Sequence, residues 1–375
     1  MSSHADTTTA IPLVDLRAAH AEVAAEIQAG FDGVIASTAF IKGEAAEAFE
    51  RDYAAFTGVA HCVGVANGTD AIELALRAAE VPAGAEVIMP ANTFVATAEA
   101  AVRAGARPAF ADVDPDHLLL DPHALEAALS QETGAVVPVH LFGQIAPMAA
   151  IAHVAAQRGA VIIEDAAQAH GATQNGGPAG SFGLLAGVSF YPGKNLGAYG
   201  DAGAVLTRSA EHARRVRLLG DHGSERRYEH LIIGFNSRLD AFQAVVLRAR
   251  LRKLAAGNQA RRQAASRYSE LLADLPEVSL PVTAPGNEHV WHLYVIRVPR
   301  RDHVLRCLQD EGIQAGIHYP VPVHLQPAFR HLGYGPGDFP VAEAAAGQLL
   351  SLPLYPQITE EQQVRVVGAV RRALG

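Results

Sequence analysis

The chain has 375 residues, of which 49% are hydrophobic and 18% are charged. A chain of this size can bury a large core and is expected to divide into two domains. Its formal net charge of -9 and its pI near 6.0 argue against a general nucleic-acid-binding protein, whose surface would be basic.

The two cysteines and the N-terminal segment exclude further classes. Cys62 and Cys307 do not have the spacing of metal ligands and are typical of a reduced compartment. Residues 1–10 are small and polar, unlike a secretory leader, and no apolar run is long enough to cross a bilayer. We therefore expect no metal site, no membrane span and a cytoplasmic location. Residues 1–10 are predicted to be a disordered lead-in.

The first informative segment is residues 63–79, where an apolar strand runs into Asn-Gly-Thr-Asp and then into an alanine-rich helix. Gly68 allows the backbone to approach a ligand closely, and Thr69 offers a hydroxyl group. The amides that open a helix favour a dianion, so the segment has the form of a phosphate-binding turn. The alternative is a helix that Thr69 or Asp70 caps, with no ligand.

Strands and helices alternate between residues 60 and 208. The predicted strands are residues 87–89, 108–111, 136–139 and 161–163, and residues 122–130 are a predicted helix. This alternation predicts an α/β fold with a mostly parallel sheet that has helices on both faces.

Asp165 ends the apolar run of residues 160–163, which is typical of a buried parallel strand. Ligands of open α/β sheets collect at this carboxyl end. A carboxylate there could pair with a cationic pyridine nitrogen, which would lower the pKa of Asp165, or it could simply cap the next helix. Gln168 follows one helical turn later and could donate to a phenolic oxygen of a cofactor. His170 is either a ligand or a packing residue.

Lys194 follows a small, apolar strand at residues 184–190 and a break at Pro192-Gly193. A strand end directs this amine into a cleft, where loss of hydration lowers the pKa of a lysine and makes it a nucleophile or base near neutral pH. The alternative is a surface lysine in a turn. A lysine with an upstream acid predicts a pyridoxal phosphate site, because the lysine holds this cofactor as a Schiff base and the acid keeps its ring nitrogen protonated.

Residues 238–272 predict one or two long helices with a possible break at Gly257-Asn258. This segment would join a large domain, residues 11–255, to a small α+β domain, residues 256–375, whose clearest strand is residues 292–298. The basic residues along it are more typical of a solvated face than of a ligand site. They are Arg248, Arg250, Arg252, Lys253, Arg261 and Arg262.

Five ordered motifs resemble the DegT/DnrJ/EryC1/StrS family of sugar aminotransferases. They are NGTDAIELAL (67–76), IMPANTFVATAEAAV (88–102), IEDAAQAHGA (163–172), SFYPGKNLGAYGDAG (189–203) and GFNSRLDAFQAVVL (234–247). The resemblance covers nearly the whole chain. It implies a fold type I pyridoxal phosphate-dependent transferase, similar to aspartate aminotransferase, that forms a homodimer. It also implies transfer of an amino group to a keto sugar carried by a nucleotide.

Carried over to this sequence, the resemblance makes Lys194 the Schiff-base lysine and Asp165 the partner of the ring nitrogen, with Gln168 near the phenolic oxygen. Some relatives carry histidine in place of this lysine and act as dehydratases, so lysine favours amino transfer. The family's amino donor is usually glutamate, which nothing else in the sequence indicates.

The same resemblance assigns the remaining cofactor contacts. Gly68, Thr69 and Ser189 would contact the phosphate, and Phe94 would place an aromatic ring over the cofactor or pack in the core. Asn236 would reach the phosphate from the partner subunit, so that each active site is shared.

The sequences of these motifs resemble those of family members that aminate the 3-keto position of dTDP-linked 6-deoxyhexoses more than those of 4-keto sugar or cyclitol aminotransferases. The predicted contacts for the sugar and the donor are His222, Arg238, His318, Tyr319 and His324. Each histidine has an alternative interpretation as an ordinary loop or core residue. A guanidinium suits a carboxylate or a diphosphate through paired hydrogen bonds.

Two other classes of protein remain as alternatives. A pyridoxal phosphate-binding regulator without catalysis should have lost Lys194, Asp165 or the Gly68-Thr69 turn, and all of these are present. A dinucleotide-binding oxidoreductase would need G-x-G-x-x-G after an early strand, which residues 65–69 do not supply.

Overall fold

The structure is a computed structural model that describes residues 10–375. The predicted disordered lead-in therefore lies, apart from Ala10, outside the described residues. The helices are α1 (Leu16–Ala21), α2 (Ala24–Ser37), α3 (Glu44–Thr57), α4 (Gly68–Ala78), α5 (Val95–Arg103), α6 (Pro122–Ala128), α7 (Met148–Ala156), α8 (Ala210–Gly220), α9 (Ala241–Leu272), α10 (Arg301–Asp310), α11 (Pro340–Ala346) and α12 (Glu360–Leu374).

Several of the strands are only two residues long and lie outside the central sheet. The strands are β1 (His61–Val65), β2 (Glu86–Pro90), β3 (Arg107–Ala111), β4 (Thr133–Val136), β5 (Val161–Asp165), β6 (Thr173–Gln174), β7 (Gly177–Pro178), β8 (Leu185–Ser189), β9 (Gly203–Thr207), β10 (Ser224–Arg226), β11 (Glu229–His230), β12 (Asn287–Glu288), β13 (Tyr294–Arg297) and β14 (Leu349–Leu352). Short 3-10 helices cover Leu141–Gly143, Val323–Leu325 and Pro327–Leu332.

Seven strands form the central sheet in the order β1-β9-β8-β5-β4-β2-β3. From β8 to β3 all neighbours are parallel, whereas β9 is antiparallel to both β8 and β1. The predicted mostly parallel sheet is therefore confirmed. Its inner strands are short apolar runs such as EVIMP in β2, which suits strands covered by helices on both faces.

The sheet brings the predicted site residues to one edge. β5 and β8 are parallel neighbours, and Asp165 lies opposite Gly187 in their register. Both strands therefore end on the same side, where β5 presents Asp165 and β8 leads into the loop that carries Lys194. The first turn of α4 reaches the same edge because α4 packs against β8 and β9.

Helix α9 is continuous over 32 residues, so the predicted break at Gly257-Asn258 is wrong. One glycine in a helix costs only about 1 kcal/mol, and packing on both sides of this point outweighs that cost. The predicted solvated face is also wrong at one position, because Arg261 is buried and donates to the carbonyls of Trp291 and Leu354.

A second hydrophobic core lies beside the end of α9. It joins Tyr268 and Leu272 to β13, β14, α10 and α12, and it includes Ile11 from the start of the described chain. β13 and β14 pair in antiparallel fashion. The proposed boundary between residues 255 and 256 falls within α9, and the division into two domains stays a prediction. Among residues 10–375, no helix is both long and apolar enough to cross a membrane.

Gly203, at the start of β9, has no room for a side chain. A Cβ atom there would lie 2.3 Å from the carbonyl oxygen of Asn67, in the turn before α4. We expect Gly203→Ala to lower the free energy of unfolding by about 1–3 kcal/mol because the strand and the turn must move apart. Urea unfolding followed by circular dichroism measures this change.

Gly33→Ala is the matched control. A Cβ atom at Gly33, in α2, meets nothing within 4 Å. Alanine there should leave stability unchanged or raise it by about 0.5–1 kcal/mol, because it favours the helix. Equal stability of the two variants would contradict the tight contact at Gly203.

Candidate active site

A cavity of about 800 Å³ opens at the carboxyl edge of β5 and β8. Nine of the residues predicted from the sequence line it, and four do not. Those that line it are Gly68, Thr69, Phe94, Asp165, Gln168, Ser189, Lys194, His318 and Tyr319. The structure thus brings together residues from five separate stretches of the chain around one cavity.

Lys194 lies in the loop after β8, where its amide donates to the carbonyl of Tyr191 at 2.8 Å. The side chain is partly buried and lines the cavity. Desolvation lowers the pKa of Lys194 to about 8, although the carboxylate of Asp165 acts in the opposite direction. A substantial fraction of the amine is therefore unprotonated near neutral pH, as a nucleophile or base requires.

Asp165 is buried at the end of β5, with 6% of its surface exposed. Oδ2 accepts a hydrogen bond from Thr97 Oγ1 at 2.8 Å, and Oδ1 accepts one from the amide of Ala167 at 3.1 Å. Within residues 10–375, these neutral groups are the hydrogen-bond donors to the carboxylate, and the charge of Lys194 also acts on it.

The pKa of Asp165 is raised by burial, in spite of these hydrogen bonds and the nearby Lys194. The sequence predicts a lowered pKa because it assumes a ring cation beside the carboxylate. In the protein chain alone, loss of hydration is the larger effect. A buried carboxylate without a close cation is costly, so this site suits a ligand with a positive charge.

Thr97 is a site residue that the sequence analysis missed. Besides donating to Asp165, it shares a hydrogen bond of 2.8 Å with the hydroxyl of Thr93, and both threonines are buried. The local signal was only that the two threonines lie in one motif, with Thr97 in the first turn of α5 and Thr93 just before that helix. That signal did not identify Asp165, which is 68 residues away, as the acceptor.

The turn before α4 leaves the first helical amides open. Asn67 is the N-cap, and its side chain accepts from the amide of Asp70 at 2.8 Å. Neither Thr69 nor Asp70 therefore caps the helix. The amides of Gly68 and Thr69 lie in the first turn, where no intrahelical acceptor exists, and they can bind an anion in the cavity.

Gly68 also lies very close to Ser189 at the end of β8. A Cβ atom on Gly68 would be 2.5 Å from Ser189 Cβ. The absence of a side chain at Gly68 is therefore what lets the start of α4 and the end of β8 form one wall of the cavity.

Aromatic and amide groups form another wall. Phe94 has 50% of its surface exposed, and its ring centroid lies 5.2 Å from that of Tyr319. Gln168 donates from Nε2 to Tyr319 Oη at 3.2 Å and accepts from the amide of Phe142 at 2.7 Å. An exposed phenylalanine beside a cavity offers stacking area to a flat ligand.

Two histidines beside the cavity are held neutral. Burial and the positive charge of Lys194 lower the pKa of His318 to about 4, and its Nδ1 lies 2.8 Å from Ser351 Oγ. Burial lowers the pKa of His170 to about 3, and its Nε2 lies 3.0 Å from the carbonyl of Ser189. His170 is buried and does not line the cavity, which favours its interpretation as a packing residue.

Three predicted residues lie on the surface outside this cavity. Asn236 and His222 are exposed, and the amide of His222 donates to the carbonyl of Phe235. Arg238 forms an ion pair with Asp221 at 2.9 Å. The chain's own Asn236, His222 and Arg238 therefore do not contact a ligand in its own cavity.

His324, which is predicted to contact the sugar or the donor, does not line this cavity. His324 is 1% exposed, its Nε2 lies 3.1 Å from Glu343 Oε1, and its ring packs edge-on against Phe339. It is a core histidine, which is the alternative that the sequence left open.

Among the described residues, no group of three or more histidine, cysteine, aspartate or glutamate side chains could hold a metal ion. The polar groups that the cavity offers include the amine of Lys194, the carboxylate of Asp165 and the open amides of Gly68 and Thr69.

Comparison with known proteins agrees with this geometry. A dTDP-3-amino-3,4,6-trideoxy-alpha-D-glucose transaminase from Streptomyces venezuelae is 45% identical over 371 residues, which are 99% of this chain and 98% of that protein. A UDP-N-acetyl-3-dehydro-alpha-D-glucosamine 3-aminotransferase from Acidithiobacillus ferrooxidans is 46% identical over 366 residues and 98% of each chain.

The fold comparison is equally close. The crystal structure of S. venezuelae DesV, in complex with a ketimine intermediate, matches with a TM-score of 0.95 and 44% identity over 97% of this chain and 98% of DesV. This match confirms the predicted fold class, a fold type I aminotransferase. Residues 21–371 match the DegT/DnrJ/EryC1/StrS aminotransferase family model. The chain therefore belongs to the DegT/DnrJ/EryC1/StrS aminotransferase family.

Proposed function

We propose that this protein is a pyridoxal phosphate-dependent aminotransferase that transfers an amino group to a nucleotide-linked keto sugar. The observation that carries the proposal is the presence of Lys194 and the buried Asp165 in one cavity, where the hydrogen-bond donors that the described residues give the carboxylate are neutral. Members of the family use pyridoxal phosphate, and this pair supplies the amine and the acid that the cofactor requires.

The residues of the cavity fit the cofactor group by group. Asp165 would pair with the ring nitrogen, and the open amides of Gly68 and Thr69, with Ser189, would hold the phosphate. Phe94 would cover one face of the ring, and Gln168 would donate to the phenolic oxygen. When bound, the cofactor supplies an electron-accepting ring that stabilises negative charge on the carbon that loses a proton.

Lys194 has two tasks in this proposal. Its Nζ would hold the cofactor covalently in the resting enzyme, because the lowered pKa of Lys194 leaves more of the free amine near neutral pH than an ordinary lysine has. Once an amino donor has displaced it, the same Nζ removes the proton from the donor's alpha carbon as a general base and later returns a proton. The keto sugar then passes through these steps in the reverse order.

The two curated relatives above support a preference for the substrate. Both are named for an amino group at carbon 3 of a nucleotide-linked sugar, but one name specifies dTDP and the other UDP. We therefore propose a 3-keto sugar as the acceptor, with a dTDP-linked 6-deoxyhexose favoured by the motifs and a UDP-linked sugar as the alternative. L-Glutamate is the proposed donor.

A cytoplasmic homodimer with shared active sites completes the proposal. The hairpin of β10 and β11 and the segment after it expose Tyr228, Leu231, Ile232 and Ile233, the last with 94% of its surface accessible. A contiguous exposed apolar patch is typical of a protein interface. Asn236 lies three residues after Ile233 and is exposed, which supports the proposal that it contacts a partner subunit.

The covalent link to the cofactor can be tested sharply because the chain has only three lysines, Lys42, Lys194 and Lys253. We expect borohydride reduction of the holoenzyme, followed by peptide mass spectrometry, to find the cofactor on Lys194 alone. L-Glutamate should abolish the visible band of the lysine-bound cofactor, and dTDP- or UDP-linked 3-keto sugars should restore it.

Lys253→Ala is the matched control and should keep both the adduct and the turnover, whereas Lys194→Ala should lose both. Full turnover of Lys194→Ala would contradict the proposal. A stable band that no amino donor changes would favour a regulator that binds the cofactor without catalysis.

The pKa of Lys194 gives a second prediction. Since only the free amine attacks an aldehyde, the rate at which apoenzyme binds pyridoxal phosphate covalently should rise with pH around a midpoint of about 8. Asp165 raises the pKa of this amine, so Asp165→Asn should move the midpoint to lower pH. Stopped-flow absorbance measures both profiles, and a midpoint near 10.5 in the unaltered chain would exclude a desolvated amine.

Sharing of active sites can be tested with mixed dimers. If Asn236→Ala and Lys194→Ala homodimers are both inactive, their heterodimer should contain one site with an intact lysine and an intact partner asparagine. Activity should therefore return on mixing, whereas mixing two preparations of Lys194→Ala should restore none. No recovery in heterodimers verified by native mass spectrometry would count against a shared site.

A further inference from the structure

A chain of hydrogen bonds runs directly behind the catalytic lysine. Asn195, the next residue after Lys194, donates from Nδ2 to Asn258 Oδ1 at 3.0 Å and to the carbonyl of Val290 at 2.9 Å. Its Oδ1 lies 3.2 Å from Nδ1 of His292. Both ends of this amide group are therefore held by protein.

Asn258 continues the chain from the middle of α9, where it is 4% exposed. Its Nδ2 donates to the carbonyl of His170 at 2.8 Å, and His170 Nε2 lies 3.0 Å from the carbonyl of Ser189. The loop that carries Lys194 follows Ser189, and we call it the lysine loop. Asn258 of α9 is connected to this loop on both sides of Lys194, to Ser189 through His170 and to Asn195 directly.

The direction of each hydrogen bond follows from the chemistry of the groups. A carbonyl oxygen only accepts, so His170 donates from Nε2 to Ser189. Asn195 Oδ1 also only accepts, so His292 donates from Nδ1. Burial lowers the pKa of His292 well below its ordinary value, and the ring is therefore neutral. The chain is made of neutral groups and does not add charge beside Lys194.

A buried asparagine in the middle of a helix is unfavourable unless it has a specific use. Asparagine is a poor helix former, and an amide without hydrogen bonds in a dry environment costs about 1–3 kcal/mol. Both polar atoms of the Asn258 side chain are satisfied, by Asn195 and by the His170 carbonyl. The residue therefore links α9 to the lysine loop with a geometry that an apolar side chain could not supply.

We propose that Asn195 and Asn258 act as a pair of positioning residues that fix the Lys194 loop against α9 and keep the amine in its desolvated position. The pair also fixes residues 290–292, since Asn195 contacts Val290 and His292. This inference rests on the proposed role of Lys194 as the amine that binds the cofactor.

The test uses Asn195→Ala, Asn258→Ala and the double variant. Loss of the pair should slow the donor half-reaction about tenfold to a hundredfold, because a small displacement of a reacting group is costly, with less than a threefold change in KM for the donor. The double variant should be little slower than either single variant, because the two residues act as one unit. The covalent binding of pyridoxal phosphate by each apoenzyme should move to a higher pH midpoint, since water reaches the amine.

Gln259→Ala is the matched control, because Gln259 is the next residue on α9 but is exposed and bonded to Arg262. It should leave the rate and the pH midpoint unchanged. Asn195 lies in a loop and is only partly buried, so Asn195→Ala keeps the test available if Asn258→Ala does not fold.

An unchanged pH midpoint and half-reaction rate in Asn195→Ala would overturn the inference. It would also be overturned if the fold losses in half-reaction rate of the two single variants multiplied in the double variant. A change in thermal stability alone would also overturn it, because that result indicates a purely structural link. If the unaltered protein itself forms no lysine-bound cofactor, the proposed function fails instead.

Discussion

The active site depends on the burial of two opposite charges that do not neutralise each other. Burial reduces the hydration of the Lys194 amine and of the Asp165 carboxylate, and it therefore lowers the pKa of the first and raises that of the second. Each shift disfavours the charged form, and both costs must be offset by the rest of the fold. A ligand with a reactive aldehyde and a cationic ring relieves both costs. The aldehyde forms a covalent bond with the amine nitrogen, and the cationic ring gives the carboxylate an ion-pair partner.

The sheet topology is what holds these groups apart and yet in one cavity. β5 and β8 are parallel neighbours, so the acid and the lysine loop emerge at the same edge. The antiparallel β9 then returns beside β8, and its Gly203 supports the turn that opens α4. Close backbone contacts at Gly68 and Gly203 leave no room for side chains, which fixes the anion-binding amides relative to Lys194.

The local pattern of apolar and polar residues in the sequence was enough to predict most of this arrangement. Short apolar runs located β2, β3, β5 and β8, and the polar residues at their ends identified Asp165 and Lys194. Contacts between distant segments were beyond that pattern, as Thr97 shows, whose acceptor is 68 residues away. The same limit explains why the buried positions of His324 and Arg261 were not predicted, since nothing local distinguishes a buried polar side chain with partners from an exposed one.

The error at Gly257-Asn258 is the most instructive, because the residues that looked like a helix break are part of the support for the site. Asn258 contacts the lysine loop, and Arg261, three residues later on the same side of α9, donates to the carbonyls of Trp291, His292 and Leu354. One side of α9 therefore joins the lysine loop to the second core. A displacement of that core along α9 would change the surroundings of Lys194 before it changed the central sheet.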